Sequence, residues 1–418
     1  MNSKWILFIK KSKFNIKKAY LYNKAYDKIK ELNFFNEKFY RETYPHLATV
    51  KMDLLIHYLF YGYKECKNPS EKFDNDFYLN NYPDVKKSGM NPLVHYVLYG
   101  ENENRFINKF ECIQDKFKDG WRISIKIPAP KGATYWGDYF FAVAMKKEFE
   151  KRHIPSSIQF LDDWYDGEDN DSDIVIVLRG LSKYNPRPEK FNIMWNISHP
   201  NSITLEEYEE YDLVFISFEE YAKEIKEKIN VPVEPLLQCT DSELFYPSYS
   251  KKYDYDLLFV GSSRKILRPI IKDLLSTKYD FAVYGGMWEH LIDEKYIKGT
   301  FIENNKLNKA YSSSKILFND HWEDMRQKNF ISNRIFDMLA CEAFIISDNM
   351  PAANTLLKDT IVTYTSPTEL KKIISYYLQY PEERRKKATK GRKLVINNHT
   401  FKHRINQIIT TINNIQLE

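Results

Sequence analysis

From residue 121 onward, short unbroken apolar runs alternate with longer segments in which apolar residues recur at helical spacing. The runs 122–127 (RISIKI), 157–161, 173–178 (DIVIVL), 191–196 (FNIMWN), 212–216 (DLVFI) and 233–236 read as strands, and 139–152, 204–210 and 218–228 as the helices between them. Strands separated by helices predict a parallel α/β sheet. A polar stretch, SYSKKYDYD (248–256), follows, and then the pattern restarts. Its strands are 257–260, 280–284, 315–318 and 343–347, and its helices 267–276, 333–341, 367–379 and 382–396. Two such sheets joined by a linker imply a cleft, with ligands at the carboxyl ends of the strands.

The first 110 residues have a different texture. Residues 15–32 place Ile16, Ala19, Tyr20, Leu21, Ala25, Ile29 and Leu32 at roughly helical spacing among lysines. Behind Trp5 and Phe8, such a basic helix suits either an anionic membrane surface or docking on the rest of the chain. Residues 35–62 then align without gaps on 73–100, an offset of 38. Phe35/Phe73, Tyr40/Tyr78, Tyr44/Tyr82, Pro45/Pro83, His57/His95 and Gly62/Gly100 are among the pairs. Self-similarity at this period predicts one helical hairpin used twice, each copy closing at a glycine suited to a left-handed cap. His57 and His95 sit inside apolar helical stretches, the setting of hydrogen-bonded core histidines and not of ligands.

Charge refines the picture. The net +5 is concentrated in residues 1–30, where nine lysines face one acid, leaving the remainder near −3. That body lacks the basic surface a phosphate backbone requires, which argues against nucleic-acid binding. Cys66, Cys112, Cys239 and Cys341 are widely spaced, with no zinc pattern, and fit reduced thiols in a cytoplasmic protein. The apolar run 5–9 is too short for an export signal or a membrane span.

Candidate chemistry lies at strand ends. In FVGSSRK (259–265), Gly261 admits a ligand to the backbone, Ser262 and Ser263 offer hydroxyls, and Arg264, Lys265 and Arg268 add charge beside a helix start. In RQKNFISNRIFDMLACEAFIISD (326–348), Ser332 and Asn333 are suited to cap a helix whose first amides face the cleft. Arg334 in that first turn opposes the macrodipole, a conflict that a bound anion resolves. Arg334 and Asp337 share a face, either gripping a ligand together with Arg326 or pairing with each other. Trp195, Ser198, His199 and Pro200 follow a strand of the first sheet, and Asp138 opens its first helix, as an N-cap or as a base; either Asp138 or His199 is placed to act as general base toward an acceptor.

The series WGDYFFA, WNISHPNSIT, LLQCTDSELFYP, LLFVGSSRK and ILFNDHWEDMRQKNFISNRIFDMLACEAFIISD strongly resembles GT-B glycosyltransferases, in particular the group-1, CgeB-like branch, over about 300 residues from position 121. The N-terminal copies are similar to FDxxYYLxxYPDV…NPLxHYxxxG units found beside bacterial cell-surface glycosyltransferases. The resemblance implies two Rossmann-like domains, an acceptor domain at 121–247 and a donor domain at 248–385, with helices of 386–418 returning to the first. Ahead of these stand a basic segment, 1–34, and the helical repeat module, 35–110. It further implies transfer of a sugar from a nucleoside diphosphate, UDP being the first expectation, to a glycan or glycoconjugate hydroxyl in bacterial cell-surface polysaccharide synthesis; the basic segment 1–30, if it lies on an anionic surface, would put this at the inner face of the membrane. Asp337 occupies the place of the family's ribose-binding carboxylate. Arg264 and Arg334 would stabilise the diphosphate leaving group. Gly285, Trp288, Gly299, Thr300 and Phe301 would face the nucleotide, with Tyr311 and Asn319 as further contacts. Glu342 stands where the family has glycine, and Asn329 where related enzymes carry the first acid of an EX7E motif. The acidic stretches DND (74–76) and DNDSD (169–173) lie outside any metal-binding setting, so no metal is expected. A non-catalytic carbohydrate-binding protein on the same scaffold is the competing reading, and a DNA-modifying glucosyltransferase is disfavoured by the slightly acidic body.

Overall fold

Asn36 and Asp74 occupy the same place in the two repeat copies, and each starts a helix. Asn36 Oδ1 accepts from the Phe39 amide at 3.1 Å and Asp74 Oδ1 from the Phe77 amide at 3.0 Å, opening helices Glu37–Thr43 and Asn75–Asn81. Asp53 and Asn91 cap Leu54–Phe60 and Pro92–His95 in the same manner. The computed structural model describes residues 3–415 apart from 14, 48, 110, 113–119 and 169. It forms two compact units, Met1–Gly120 and Trp121–Glu418.

In the first unit the repeat's tyrosines find equivalent partners in both copies. Tyr40 Oη lies 3.2 Å from His57 Nδ1, and Tyr78 Oη 3.0 Å from His95 Nδ1. Tyr44 Oη accepts the Asn68 amide at 2.7 Å, and Tyr82 Oη that of Phe106 at 2.8 Å. The histidines are thus half-buried partners of tyrosine hydroxyls, which is what a buried phenol requires. Gly62 and Gly100 correct the sequence reading, because neither adopts a left-handed backbone. A Cβ on Gly62 would lie 2.0 Å from Tyr40 Oη, and one on Gly100 2.3 Å from Tyr78 Oη. Glycine is required there to leave room for the hydroxyl.

Helices Ser3–Lys11 and Ile16–Glu31 join the same core through Phe8, Tyr22, Tyr26 and Ile29. Phe8 packs edge-on to Tyr26 and Phe60, so the ring that the sequence offered to a membrane is interior. The tyrosines missing from the predicted apolar face are the buried ones, whereas Ile16 and Tyr20 are 68% and 60% exposed. Among the described residues no helix is long and apolar enough to cross a membrane.

The second unit holds two all-parallel sheets. The first comprises β1 (Ile123–Lys126), β2 (Ser156–Gln159), β3 (Ile174–Arg179), β4 (Phe191–Asn196), β5 (Leu213–Ile216) and β6 (Val233–Pro235), ordered β2-β1-β3-β4-β5-β6. The second comprises β7 (Leu257–Val260), β8 (Phe281–Tyr284), β9 (Ile297–Gly299), β10 (Ile316–Asn319), β11 (Ile345–Asp348) and β12 (Val362–Tyr364), ordered β12-β11-β10-β7-β8-β9. This is the two-lobed α/β architecture that the alternating runs predict. The edge strands β9 and β12, three residues each, are not among the predicted strands: β9 holds one apolar residue, whereas β12 lies in the run 361–364 (IVTY), which the sequence reading passes over. In the second sheet the strand order reverses between β7 and β10, the crevice where open sheets of this kind bind ligands.

The crossing between lobes comes earlier than the polar stretch 248–256. Leu236 and Gln238 bond back to Ile216 and Ile197 of the first lobe, while Thr240 already bonds Asp337 of the second. Tyr253, inside the polar stretch, is core of the second lobe. The chain returns beside its own outward path. The Thr240 amide donates to the His399 carbonyl and the Phe401 amide to that of Thr240, both at 3.1 Å. Helix Phe401–Ile415 then packs on Gly137–Glu150 of the first lobe, with Phe401 and Phe141 edge to face, whereas Pro381–Asn398 remains against Asn333–Ala340 of the second.

Gly62→Ala and Gly100→Ala should each destabilise the chain by about 1–3 kcal/mol through overpacking. Adding Tyr40→Phe to Gly62→Ala should recover part of the loss by removing the hydroxyl that clashes. Unfolding curves of the three variants check this, and a melting profile unchanged by Gly62→Ala would contradict it.

Candidate active site

The loops after β7 and β8 are clamped together. The Gly261 amide donates to the Tyr284 carbonyl at 2.7 Å, and the Trp288 indole donates to the Gly261 carbonyl at 2.8 Å. Gly285 has φ +150°, and a Cβ there would lie 2.1 Å from the Gly261 oxygen, so only glycine fits. This clamp fixes the floor of a cavity of about 290 Å3, whose lining includes Gly261, Ser262, Gly285, Thr300, Phe301 and Arg334. A second cavity of about 210 Å3 adjoins it through Arg334 and is lined by Asn333, Asp337 and Tyr311, and by Gly137, Phe141 and Phe401 from the opposite side. Together they lie within the size range of small-molecule sites, roughly 300–1,000 Å3.

Two guanidinium groups meet at Gly261, and a third, that of Arg264, lies outside the cavity lining but near enough to feel both charges. A Cβ on Gly261 would meet Arg268 Nη1 at 3.0 Å and Arg334 Nη2 at 3.4 Å. Arg268 is buried and ion-paired with Asp320, so its charge is neutralised within the protein. Among the described residues the Arg334 guanidinium makes one long hydrogen bond, to Asn319 Oδ1 at 3.3 Å. Arg264 has no hydrogen bond or ion pair among the described residues; its guanidinium lies 3.8 Å from the Trp322 ring centroid. Burial, together with the charges of Arg268 and Arg334, pulls its pKa down to about 9 despite Asp320. Arg264 and Lys265 both take left-handed backbones, at φ +61°, a strained turn of the kind that clusters at functional sites.

The start of helix Asn333–Ala340 departs from expectation. Its amides do not await an anion: that of Asn333 donates to Gln238 Oε1 at 2.8 Å and that of Arg334 to Ser332 Oγ at 3.3 Å. The Ser332 amide donates to His321 Nε2 at 3.2 Å, leaving His321 Nδ1–H to donate to Asp348 at 2.8 Å. Ser332 and Asn333 therefore hold the helix in place, and Arg334 alone projects charge into the cavity. Asp337 is not paired with Arg334 either. It accepts from Thr240 Oγ1 at 2.6 Å and Asn333 Nδ2 at 3.3 Å. Burial pushes its pKa up to about 8, so at neutral pH it carries a proton and can itself donate into the second cavity.

Several candidates fall outside the cavities. Trp288 and Asn319 are fully buried, the first clamping Gly261 and the second supporting Arg334. Arg326 pairs with Glu323 of its own helix at 2.7 Å, because the short helix Glu323–Gln327 places the two three residues apart. Lys265 is exposed. Glu342 has φ +59°, a left-handed backbone that glycine adopts without steric cost, and Asn329 has φ +57°. Asp74 is a helix cap, and Asp169 lies outside the described residues.

From the first lobe, His199 meets the second, with Nδ1 3.6 Å from Asp324 Oδ2 and its ring 5.1 Å from Trp322. Burial lowers its pKa against the pull of Asp324. Asp138 is not an N-cap, since Trp136 precedes the helix and Asp138 sits in its first turn. It is half-buried, with no side-chain partner among the described residues, and burial pushes its pKa up to about 6. Gly137, Phe140 and Phe141 beside it line the cavities. Sequence reasoning missed Tyr135, Phe140, Asn304 and Leu307, which line them too. Tyr135 and Phe140 belong to a loop already singled out for Asp138, whereas Asn304 lies in a polar turn without any motif.

Residues 262–410 match a family described as "Glycosyl transferase-like". Spore protein CgeB of Bacillus subtilis (strain 168) is 27% identical over 165 residues, 36% of this chain and about half (51%) of the relative's length. Among solved structures, sucrose-phosphate synthase from Thermosynechococcus elongatus superimposes with a TM-score of 0.56 at 10% identity, covering 71% of this chain and 99% of that one. Anabaena HepE in complex with UDP and glucose gives 0.51 at 10% identity, over 70% and 99%. An alpha-glucosyltransferase in complex with UDP gives 0.51 at 11%, over 70% and 100%. Trp121–Glu418 thus has the GT-B fold, and residues 262–410 carry the sequence signature of a glycosyl transferase-like family.

Proposed function

We propose that the chain is a glycosyltransferase that takes a sugar from a nucleoside diphosphate and passes it to a hydroxyl acceptor. The observation that carries this reading is the excess positive charge at the β7–β10 switch point: of Arg264, Arg268 and Arg334, only Arg268 has a carboxylate partner among the described residues. A diphosphate seated over Gly261 supplies the missing anion, and its charge rises as it leaves, so the guanidinium groups bind the departing group more tightly than the substrate. UDP is the preferred nucleotide because two structures of the same fold hold it. The arginines take the electrostatic role, and no metal is required in this scheme.

In the transfer step the acceptor oxygen bonds to the anomeric carbon as the bond from that carbon to the diphosphate oxygen breaks, the electron pair leaving with the diphosphate. The acceptor proton passes to Asp138, whose carboxyl is poised near pH 6 in the first turn of the helix that walls both cavities. Glu342 and Asn329 are the departures from the family pattern that favour the competing, non-catalytic reading. Glu342 holds the left-handed turn itself.

Arg334→Ala should weaken UDP binding by about tenfold to a hundredfold, the loss of one charge-assisted contact of roughly 1.5–3 kcal/mol. Calorimetric titration measures it, and unaltered affinity in a folded variant removes Arg334 from the site. Asp138 acts as the carboxylate, so turnover should rise about tenfold per pH unit below its pKa near 6 and level off above it. Asp138→Asn should abolish both rate and rise. A wild-type rate independent of pH between 5 and 7 counts against Asp138 as the base.

A further inference from the structure

A third cavity, of about 550 Å3, opens from the nucleotide cavity and shares Tyr135, Phe140, Phe301 and Asn304 with it. Thr134, Tyr135, Phe140, Val143 and Lys147 line it from the first lobe, and Phe301, Glu303, Asn304 and Asn305 from the second. Tyr135 and Phe301 are 64% and 54% exposed, and neither ring packs on another ring or under a cation among the described residues. Two bare aromatic faces in a concave, polar-rimmed site suit a flat apolar ligand surface edged by hydrogen-bonding groups.

The rim excludes anions. Its one cation, Lys147, is paired with Glu243 at 2.5 Å and lies 3.7 Å from Asp241. Glu303 adds a further carboxylate, itself paired with Lys306 outside the rim. A phosphate or carboxylate entering here meets acids and finds no free positive partner. By contrast, Asn304 is half-buried, its amide has no protein partner among the described residues, and it lines all three cavities. An amide both donates and accepts, the pairing that sugar hydroxyls require.

Resting on the donor reading above, we propose that this cavity takes the acceptor, and that the acceptor is an uncharged pyranoside. Its ring lies against Tyr135 and Phe301, and its hydroxyls bond Asn304 and Asn305. A lipid phosphate and an acidic sugar are excluded by the rim. The position follows from the chemistry: the cavity adjoins the one where the sugar would be released, and the helix bearing Asp138 walls both.

The test uses the full chain with UDP at saturation. Methyl glucoside, methyl galactoside and methyl N-acetylglucosaminide are titrated alongside glucuronate and glucose 6-phosphate, with binding read by saturation-transfer NMR. The expected result is binding of at least one neutral glycoside, weakened about tenfold by Tyr135→Ala and by Asn305→Ala, with the anionic sugars unbound. Binding of the anionic probes alone, binding unaffected by both substitutions, or binding of no neutral probe overturns the proposal. UDP affinity measured in the unaltered chain separates the two readings. UDP bound without a neutral glycoside defeats the acceptor assignment only, whereas absence of UDP binding defeats the donor reading beneath it.

Discussion

Like charges brought together without their counterions set the logic of this molecule. Arg268 and Arg334 meet beneath a glycine turn with Arg264 near enough to feel both charges, and among the described residues only Arg268 has a carboxylate partner. Burial and mutual repulsion oppose such a cluster, and nothing about folding requires it, since an apolar residue at 264 or 334 would pack without that penalty. The cluster makes sense as half of an interaction. The proposed diphosphate would be its other half, an anion with more than one negative charge, short enough to span two guanidinium groups.

The rest of the second unit holds that cluster in place. Gly285 and Trp288 clamp the Gly261 turn from β8, and the His321–Asp348 pair grips the start of helix Asn333–Ala340 from the ends of β10 and β11. Gln238 bonds the same helix from the chain crossing between lobes. Because Gln238 also bonds Ile197 and Thr240 bonds Asp337, a movement of the lobes about this crossing would act directly on the helix that carries Arg334. Opening of the cleft and placement of the cation are therefore mechanically joined. The His199 contact with Asp324 and Trp322 provides a second joint on the far side, next to Arg264.

Much of this was legible in the sequence, for identifiable reasons. Central strands buried on both faces announce themselves as apolar runs, and of the edge strands β2 and β6 were read while β9 and β12 were not. The glycine turn after β7 and Arg264 were visible as charge beside a strand end, and Arg334 because a cation in the first turn of a helix opposes the macrodipole. What failed was geometry that spacing does not encode. Free amides at the start of helix Asn333–Ala340 seemed to follow from capping rules, yet the partner that satisfies Asn333 comes from 95 residues away. Arg326 looked like a ligand contact, but a local pairing with Glu323 claims it. In the repeats, conformational freedom seemed to explain Gly62 and Gly100, whereas the cause is a tyrosine hydroxyl from another helix. Asn304 carried no signal at all, since a lone amide in a polar turn is indistinguishable from solvated loop until three cavities are seen to meet on it.

A structure of the chain with UDP bound tests the central claim most directly. The charge cluster predicts diphosphate oxygens within hydrogen-bonding reach of the Arg334 and Arg264 guanidinium groups, above Gly261, with Arg264 drawn off the face of Trp322. A nucleotide seated elsewhere, or seated there with both guanidinium groups still turned toward Asn319 and Trp322, would contradict it.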